Sequence, residues 1–363
     1  MSLSLQQLDF DLDPELIARQ PAEPRDEARL MVVDLNSSEI THCRILDLPN
    51  FLSASDRLVL NSTHVQPARF EACREDTGGR LEGLLLERVG PRTWWARIRK
   101  SRRLRAGHRL QLFSQDGTPS EAVLEVEKTN DGRVLVRLEG SQDVEAVLEA
   151  VGSVPLPPYI RAARREHGEP TSDARDAAWY QTVYADPVGP TRSAAAPTAG
   201  LHLSEKLLGV IAAQGVTRID VSLEVGEGTF KPVDTPTLAE HQMHHERCVV
   251  SESALQDLRQ PEGGRVIAVG TTVVRTLESL PMPLPDRGDL DFSTDLLIEP
   301  GFEFRFINGL LTNFHLPRST LLALVAAMTG IEWLHELYAE AMARRYRFFS
   351  YGDAMLLLGG KST

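Results

Sequence analysis

Four short stretches bring small residues, hydroxyls and imidazoles together at corners of the chain. "AAAPTAGLHLSEKLLGV" (194–210) sets Pro197, Thr198, Gly200 and His202 directly ahead of an amphipathic helix. Small residues let a backbone approach a ligand closely, and a helix start offers free N–H groups to anions and other acceptors. An imidazole such as His202 can carry a proton near neutral pH. "SLEVGEGTFKPV" places Glu224, Gly226, Gly228, Thr229 and Phe230 after an apolar strand. "VIAVGTTVVRT" sets Gly270, Thr271 and Thr272 between a strand and a helix, with Arg275 one turn on. "LLTNFHLPRST" puts Asn313, Phe314, His315, Arg318, Ser319 and Thr320 before another helix. Plain turn chemistry explains part of this, since Ser204 suits an N-cap and Pro317 and Ser319 suit a helix start.

Other motifs narrow the chemistry. Neither glycine corner is a Walker A loop or a GxGxxG fingerprint, so a phosphate-cradling nucleotide loop is not expected. "HQMHHERC" offers His241, His244, His245 and Glu246 at spacings that could share a helical face. It lacks the HExxH pattern, so a polar network or acid–base role is expected and a metal is not. "YRFFSYGDAMLL" adds Tyr351, Gly352 and Asp353 near the C-terminus, where aromatic residues can close a core.

The elements that must position these corners form two patterns. Residues 80–140 read as short strands, among them a hairpin with alternating apolar residues around Asn130-Asp131-Gly132. A small barrel or sandwich follows from that spacing. From about residue 180 strands and helices alternate, with "GVTRIDVSLEV", "RVIAVG", "TDLLIEP" and "EFRFINGLLTNF" as strands, the last two a possible hairpin. Helices are expected at 204–214, in "SESALQDLRQ" and "TTVVRTLESL", and in the two apolar stretches after Arg318. The chain is therefore expected to be α/β, a larger α/β domain (1–69 and 154–363) with an inserted small all-β barrel domain (70–153). Corners at the carboxyl ends of strands are where such sheets bind ligands.

Composition sets the outer limits. The 363 residues are 42% hydrophobic and 25% charged, ordinary for a soluble protein of two domains. The N-terminus has no signal-peptide pattern, and "STLLALVAAMTG" is far short of a membrane span. Cys43, Cys73 and Cys248 are widely spaced and odd in number, which gives no disulfide framework. A cytoplasmic protein is expected. The net charge of −12 argues against a general nucleic-acid coat. Three basic runs, 92–109, 161–166 and 344–347, nonetheless leave room for one face that meets a polyanion.

Taken in order, "RLMVVD", "LVLNSTHVQPAR", "PLPPYI", "YQTVYA", "APTAGLHL", "VGEGTFKPV", "MHHE", "VIAVGTTVVRTLES", "GLLTNFHLPRSTLLALV" and "YRFFSYGDAM" resemble the S-adenosylmethionine:tRNA ribosyltransferase-isomerase family of queuosine synthesis, over nearly the whole chain. The resemblance implies an α/β domain with an inserted barrel. It implies a cytoplasmic transferase that needs no metal and no cofactor beyond S-adenosylmethionine as co-substrate, and a monomer is expected. The ribosyl part would be transferred and isomerised onto 7-aminomethyl-7-deazaguanine in tRNA, giving epoxyqueuosine-tRNA, adenine and methionine. That chemistry asks for a base beside the sulfonium and an acid at the departing adenine. His202, Glu224, His244, Glu246 and His315, with Glu227, are the candidates, and the remaining corner residues named above would bind substrate.

Two departures from the family pattern stand out. Glu224 and Glu227 replace the usual His and Ala, and Ser62 and His64 replace the usual Asp and Arg. They leave two alternatives open: an enzyme of the same fold with another acceptor, and a non-catalytic RNA- or metabolite-binding protein.

Overall fold

The computed structural model describes residues 3–130, 132–171, 174–226, 235, 237–259 and 264–359. Its strands in chain order are β1 (Arg29–Asp34), β2 (Ile40–Arg44), β3 (Arg57–Asn61), β4 (His64–Val65), β5 (Arg69–Arg74), β6 (Arg80–Gly90), β7 (Thr93–Ile98), β8 (Arg109–Phe113), β9 (Pro119–Asn130), β10 (Arg133–Leu138), β11 (Arg192–Ser193), β12 (Thr217–Leu223), β13 (Glu246–Val250), β14 (Val266–Val269), β15 (Leu290–Thr294), β16 (Gly309–Asn313) and β17 (Ala354–Leu358). The helices are α1 (Val144–Val151), α2 (Pro158–Glu166), α3 (Asp176–Trp179), α4 (Glu205–Ala213), α5 (Glu252–Arg259), α6 (Thr271–Glu278), α7 (Thr320–Thr329) and α8 (Ile331–Ala343). The chain divides into two compact units. One comprises Met1–His64, Pro157–Arg192 and Ala196–Thr363, the other Val65–Leu156 and Ser193–Ala195.

The larger unit is built on a nine-stranded mixed sheet, ordered β15-β13-β12-β3-β14-β16-β17-β1-β2. Its centre, β12-β3-β14-β16, is parallel. β14, β16 and β17 are buried at every position, as strands covered on both faces must be. Alternation divides β3 between two cores. Leu58 and Leu60 pack with Leu207 and Ile211 of α4, while Val59 packs with α5 and α6. Phe314, Tyr338, Tyr346 and Phe348 form an aromatic cluster with α7 and α8, so the C-terminal aromatics do close a core. This is the expected α/β sheet, and the smaller unit is the expected β-barrel, though not all-β, because it also contains α1.

That barrel closes in the order β10-β7-β6-β5-β8-β9. Alternate residues of its strands, such as Trp94, Ala96 and Ile98, point inward, and one face of α1 completes the core with Val144, Val147, Leu148 and Val151. The hairpin of β9 and β10 pairs Asn130 with Arg133. At Gly83 a Cβ would lie 2.2 Å from the tip of the Phe70 ring, so only glycine admits that ring.

The helix caps are as the sequence suggests. Ser204, Ser251 and Ser319 accept hydrogen bonds from the backbone N–H of Leu207, Ala254 and Leu322. One expectation fails. Residues 295–308 form no strand, and β16 begins only at Gly309. The alternating Phe302, Phe304 and Phe306 mimic a strand, but they pack at the margin of the core around α6. The buried carboxylate of Glu278 accepts from the N–H groups of Arg305, Phe306 and Ile307 at 2.8, 3.0 and 3.2 Å. It satisfies donors that a neighbouring strand would otherwise have taken.

Among the described residues no single helix is long and apolar enough to cross a membrane. The apolar pair α7–α8 is bent by 110° at its break.

Candidate functional site

The four parallel strands end at one edge of the sheet, where β12 runs into Glu224 and Val225, β3 into Ser62, β14 into Gly270 and β16 into Phe314. Asn61, at the end of β3, ties the end of β12 to the start of α6. Its side chain accepts from the Leu223 N–H, donates to the Leu223 carbonyl and reaches the Thr272 hydroxyl. Gly270 turns the chain with φ +95°, a conformation that favours glycine, so that α6 starts at the sheet edge.

A cavity of about 100 Å³ lies at this edge. Its walls come from 196–199, Val225, 270–272, 312–317 with Ser319 and Leu321, and from Tyr159, Phe349 and Ser350. Thus Pro197, Thr198, Gly270, Thr271, Thr272, Asn313, Phe314, His315 and Ser319 meet around one space, although they come from three distant segments. The Thr198 hydroxyl donates to Asn313 Oδ1 at 2.9 Å, and Asn313 Nδ2 donates to the Phe349 carbonyl at 3.1 Å. This chain of bonds fixes three walls to one another. Tyr159 and Ser350 are joined by a hydrogen bond between their hydroxyls. No charged side chain is among the described lining residues.

The two buried histidines of the region differ in role. His202 ends a 3-10 turn (Thr198–His202), and its ring nitrogens face the carbonyls of Ala199 at 3.0 Å and Gly352 at 2.8 Å. It pins that turn to the C-terminal segment and does not line the cavity. Burial lowers its pKa, against the pull of the two carbonyls. His315 does line the cavity, with Nε2 2.8 Å from the Thr312 hydroxyl. Burial pushes its pKa down to about 3, so the ring is a neutral hydrogen-bonding group at physiological pH. Gly200 does not face the cavity either. A Cβ there would lie 1.7 Å from the Tyr184 hydroxyl, so glycine serves the close approach of that ring.

A second, smaller cavity shares Leu321 with the first. His241, His244, Glu246, Arg275 and Thr320 lie on its walls. Glu246 and Arg275 form a buried ion pair, and Arg275 Nε also donates to the Leu296 carbonyl at 2.9 Å. His244 and His245 are exposed, and His245 lies 4.0 Å from Asp295. Among the described residues no three His, Cys, Asp or Glu side chains converge on a point that could hold a metal ion.

The other candidates lie elsewhere. Arg318 is exposed, with φ +55°, and its N–H donates to the Leu8 carbonyl. Glu224 donates its N–H to the Arg247 carbonyl; the pKa of Arg247 is raised by its hydrogen bond to Asp291, and the charge of Glu224 adds to that. At Gly226 a Cβ would meet no atom of the described residues within 4 Å. Glu227, Gly228, Thr229 and Phe230 lie outside the described residues. At the other departures from the family pattern, the Ser62 hydroxyl donates to the Val221 carbonyl and His64 is 3.0 Å from the Gln181 amide.

Much of the basic sequence serves internal bonds. Arg164 forms a buried two-pronged pair with Asp176, both bonds 2.8 Å. Arg92 donates to the carbonyls of Leu138, Glu139 and Gln142. Arg109, Arg344 and Arg347 pair with Glu139, Glu340 and Asp353. Lys100, Arg102 and Arg103 of the barrel are exposed and meet no ion-pair partner among the described residues.

Tyr159, Val225, Leu321, Phe349 and Ser350 were not singled out by sequence. Tyr159, Phe349 and Ser350 sit inside "PLPPYI" and "YRFFSYGDAM", whose aromatic residues read equally well as core.

The sequence model of the family described as "Queuosine biosynthesis protein" matches residues 5–357. An S-adenosylmethionine:tRNA ribosyltransferase-isomerase of Rubrobacter xylanophilus is 48% identical over 98% of this chain and 97% of its own. One of Gloeobacter violaceus is 45% identical over 97% and 95%. The crystal structure of S-adenosylmethionine tRNA ribosyltransferase from Thermotoga maritima superposes with a TM-score of 0.53 at 32% identity, covering 97% of this chain and all of that one. With a full-length match on each count, the chain belongs to the queuosine biosynthesis protein family.

Proposed function

We propose that the protein transfers and isomerises the ribosyl moiety of S-adenosylmethionine onto 7-aminomethyl-7-deazaguanine in tRNA, giving epoxyqueuosine-tRNA and releasing adenine and methionine. Relatives named S-adenosylmethionine:tRNA ribosyltransferase-isomerase align with almost the whole length of the chain. The observation that carries the reading is the uncharged cavity at the carboxyl edge of the parallel strands. Hydroxyls, the Asn313 amide and a neutral His315 can hydrogen-bond a nucleoside there without setting a second positive charge beside a sulfonium. His244, exposed on the adjoining cavity, is the group we assign to proton transfer. Exposed Lys100, Arg102 and Arg103 are the residues we assign to tRNA phosphates. In this reading the protein acts as a cytoplasmic monomer and needs no metal, because proton transfer and leaving-group departure ask for no Lewis acid.

The test incubates the purified chain with S-adenosylmethionine and tRNA carrying the aminomethyl base, in EDTA. Adenine release should match the gain of epoxyqueuosine by mass spectrometry. Adenine release without nucleoside change would move the acceptor elsewhere, and no release at all would leave a binding protein. Reversing the charge of Arg102 and Arg103 should weaken tRNA binding and lower the salt slope by about 1 for each phosphate the protein no longer neutralises.

A further inference from the structure

Arg275, on the wall of the second cavity, carries a donor that the fold does not use. Arg275 is buried, with Nε on the Leu296 carbonyl and Nη1 on Glu246. Its Nη2 is also buried and meets no hydrogen-bond partner among the described residues. Leaving such a donor unsatisfied forfeits its hydration with no return, so native proteins rarely do so without a reason. The side chain lies on a cavity whose other walls, including Leu297, Ile298 and Leu324, are largely apolar. The cavity measures about 30 Å³. By the same kind of measure one water needs about 10–15 Å³, so a carboxylate-sized group fits and a purine does not.

Position adds to this. α6 presents Thr271 and Thr272 to the first cavity and Arg275 to the second. One helical turn, about 6 Å, separates Thr271 from Arg275. Leu321 is a wall of both cavities. A ligand with a nucleoside at one end and a small charged head at the other could lie along this line.

We infer that the Arg275–Glu246 ion pair receives the α-amino-acid head of S-adenosylmethionine, the carboxylate on Arg275 Nη2 and the ammonium on the Glu246 carboxylate. This rests on the reading that S-adenosylmethionine is the co-substrate. The two methylenes between sulfur and the α-carbon then lie against Leu321. The pair suits a zwitterion better than a plain anion. A phosphate would gain Arg275 but face the negative charge of Glu246, whereas an amino acid meets a complementary charge at each end. Glu246 is thereby a binding residue.

Calorimetric titration of the full chain separates the possibilities. The probes are S-adenosylmethionine, its decarboxylated analogue and 5′-methylthioadenosine, which lacks the head entirely. Wild-type protein should bind S-adenosylmethionine about 10- to 100-fold more tightly than the decarboxylated analogue, the worth of a charge-assisted hydrogen bond. The double variant Arg275→Met/Glu246→Leu removes the pair without stranding one charge. It should lose that preference while binding 5′-methylthioadenosine as wild type does. Arg275→Lys, which keeps a cation beside Glu246 but loses the fork, should shrink the preference in a protein that keeps its pair. A preference that survives both variants, or a parallel fall for all three probes, overturns the assignment. Wild-type protein that binds all three equally removes the role of the pair alone. Wild-type protein that binds none of them removes the co-substrate as well.

Discussion

The two cavities beside Leu321 differ in how they treat charge. The first is lined by hydroxyls, an amide, a neutral imidazole and apolar side chains, and no charged group is among its described walls. The second has a buried ion pair on its wall, with one guanidinium nitrogen, Nη2 of Arg275, unpartnered among the described residues. An uncharged site leaves the charge of a bound sulfonium undiminished and ready to drive chemistry. A charged site is suited to recognition, because it distinguishes ligands by their formal charges. The same two helices, α6 and α7, contribute to both cavities, so charge is segregated within a single piece of scaffold.

The sharpest way to break this contrast is to loosen the uncharged cavity without adding charge. Asn313→Ala removes the link between Thr198 and the Phe349 carbonyl, and three walls lose their common tie. Small misplacements at a reacting centre are costly, so adenine release should fall about 100-fold. Binding of the amino-acid head at the second cavity should persist, which can be read from the preference for S-adenosylmethionine over its decarboxylated analogue. Turnover within a few-fold of wild type would show that the hydrogen-bond chain does not position substrate.

Gly200→Ala tests the wall from behind. The added carbon would overlap the Tyr184 hydroxyl, and overpacking of this kind costs about 3 kcal/mol at the upper end of its usual range. Urea unfolding should show the loss. Gly83→Ala, which overlaps Phe70 in the barrel, should give a similar loss. If Gly200→Ala is as stable as wild type but inactive, the glycine faces ligand rather than Tyr184.

The two units were not equally legible in sequence. Barrel strands announce themselves because one face is buried, as the alternation of Trp94, Ala96 and Ile98 shows. Of the parallel strands, β14 shows a fully apolar run with a glycine corner behind it, and β12 shows the alternation of Ile219, Val221 and Leu223 ahead of Gly226. Residues 295–308 misled because Phe302, Phe304 and Phe306 alternate like a strand, while the partner of the N–H groups of Arg305, Phe306 and Ile307 is a carboxylate on α6. That partner is set by tertiary structure, which local pattern does not encode. The site shows the same limit. The corners were visible as motifs, but the ion pair joins residues 29 apart and the role of Gly200 depends on Tyr184. Basic runs misled in a third way, since a buried Arg164 and an exposed Arg102 look alike in sequence.

The neutral state of the first cavity has a signature in acid. His315 has a pKa near 3 in the folded protein against about 6.5 unfolded. Above pH 6.5 both states are neutral and the group adds no pH dependence. As pH falls below 6.5 the unfolded chain takes up a proton that the folded one refuses, and stability is lost until the folded ring titrates near 3. At pH 5 the loss is about 2 kcal/mol. His315→Asn should lower stability at pH 7.5 but remove about 2 kcal/mol of the further decline between pH 7.5 and 5. An unchanged decline would mean that the folded ring takes up its proton as readily as the unfolded one, and the first cavity would then admit charge below about pH 6.5.

The smallest effect is expected at Glu224, the residue that most plainly departs from the family pattern. It follows β12 and precedes Val225, and Val225 is the one that lines the first cavity. Glu224 itself is not among the residues that line that space. Its charge acts instead on Arg247, whose guanidinium is already forked onto Asp291 at 3.0 and 2.7 Å. Removing one of two acidic neighbours from an exposed arginine is worth about 0–1 kcal/mol. Glu224→Gln should therefore change adenine release by less than about threefold, and Glu224→His, which restores the usual family residue, should do no more. Turnover lowered tenfold or more in Glu224→Gln, with folding intact, would place this carboxylate at the sulfonium. The first cavity would then contain charge after all, and the division of labour between the two cavities would fail at its simplest point.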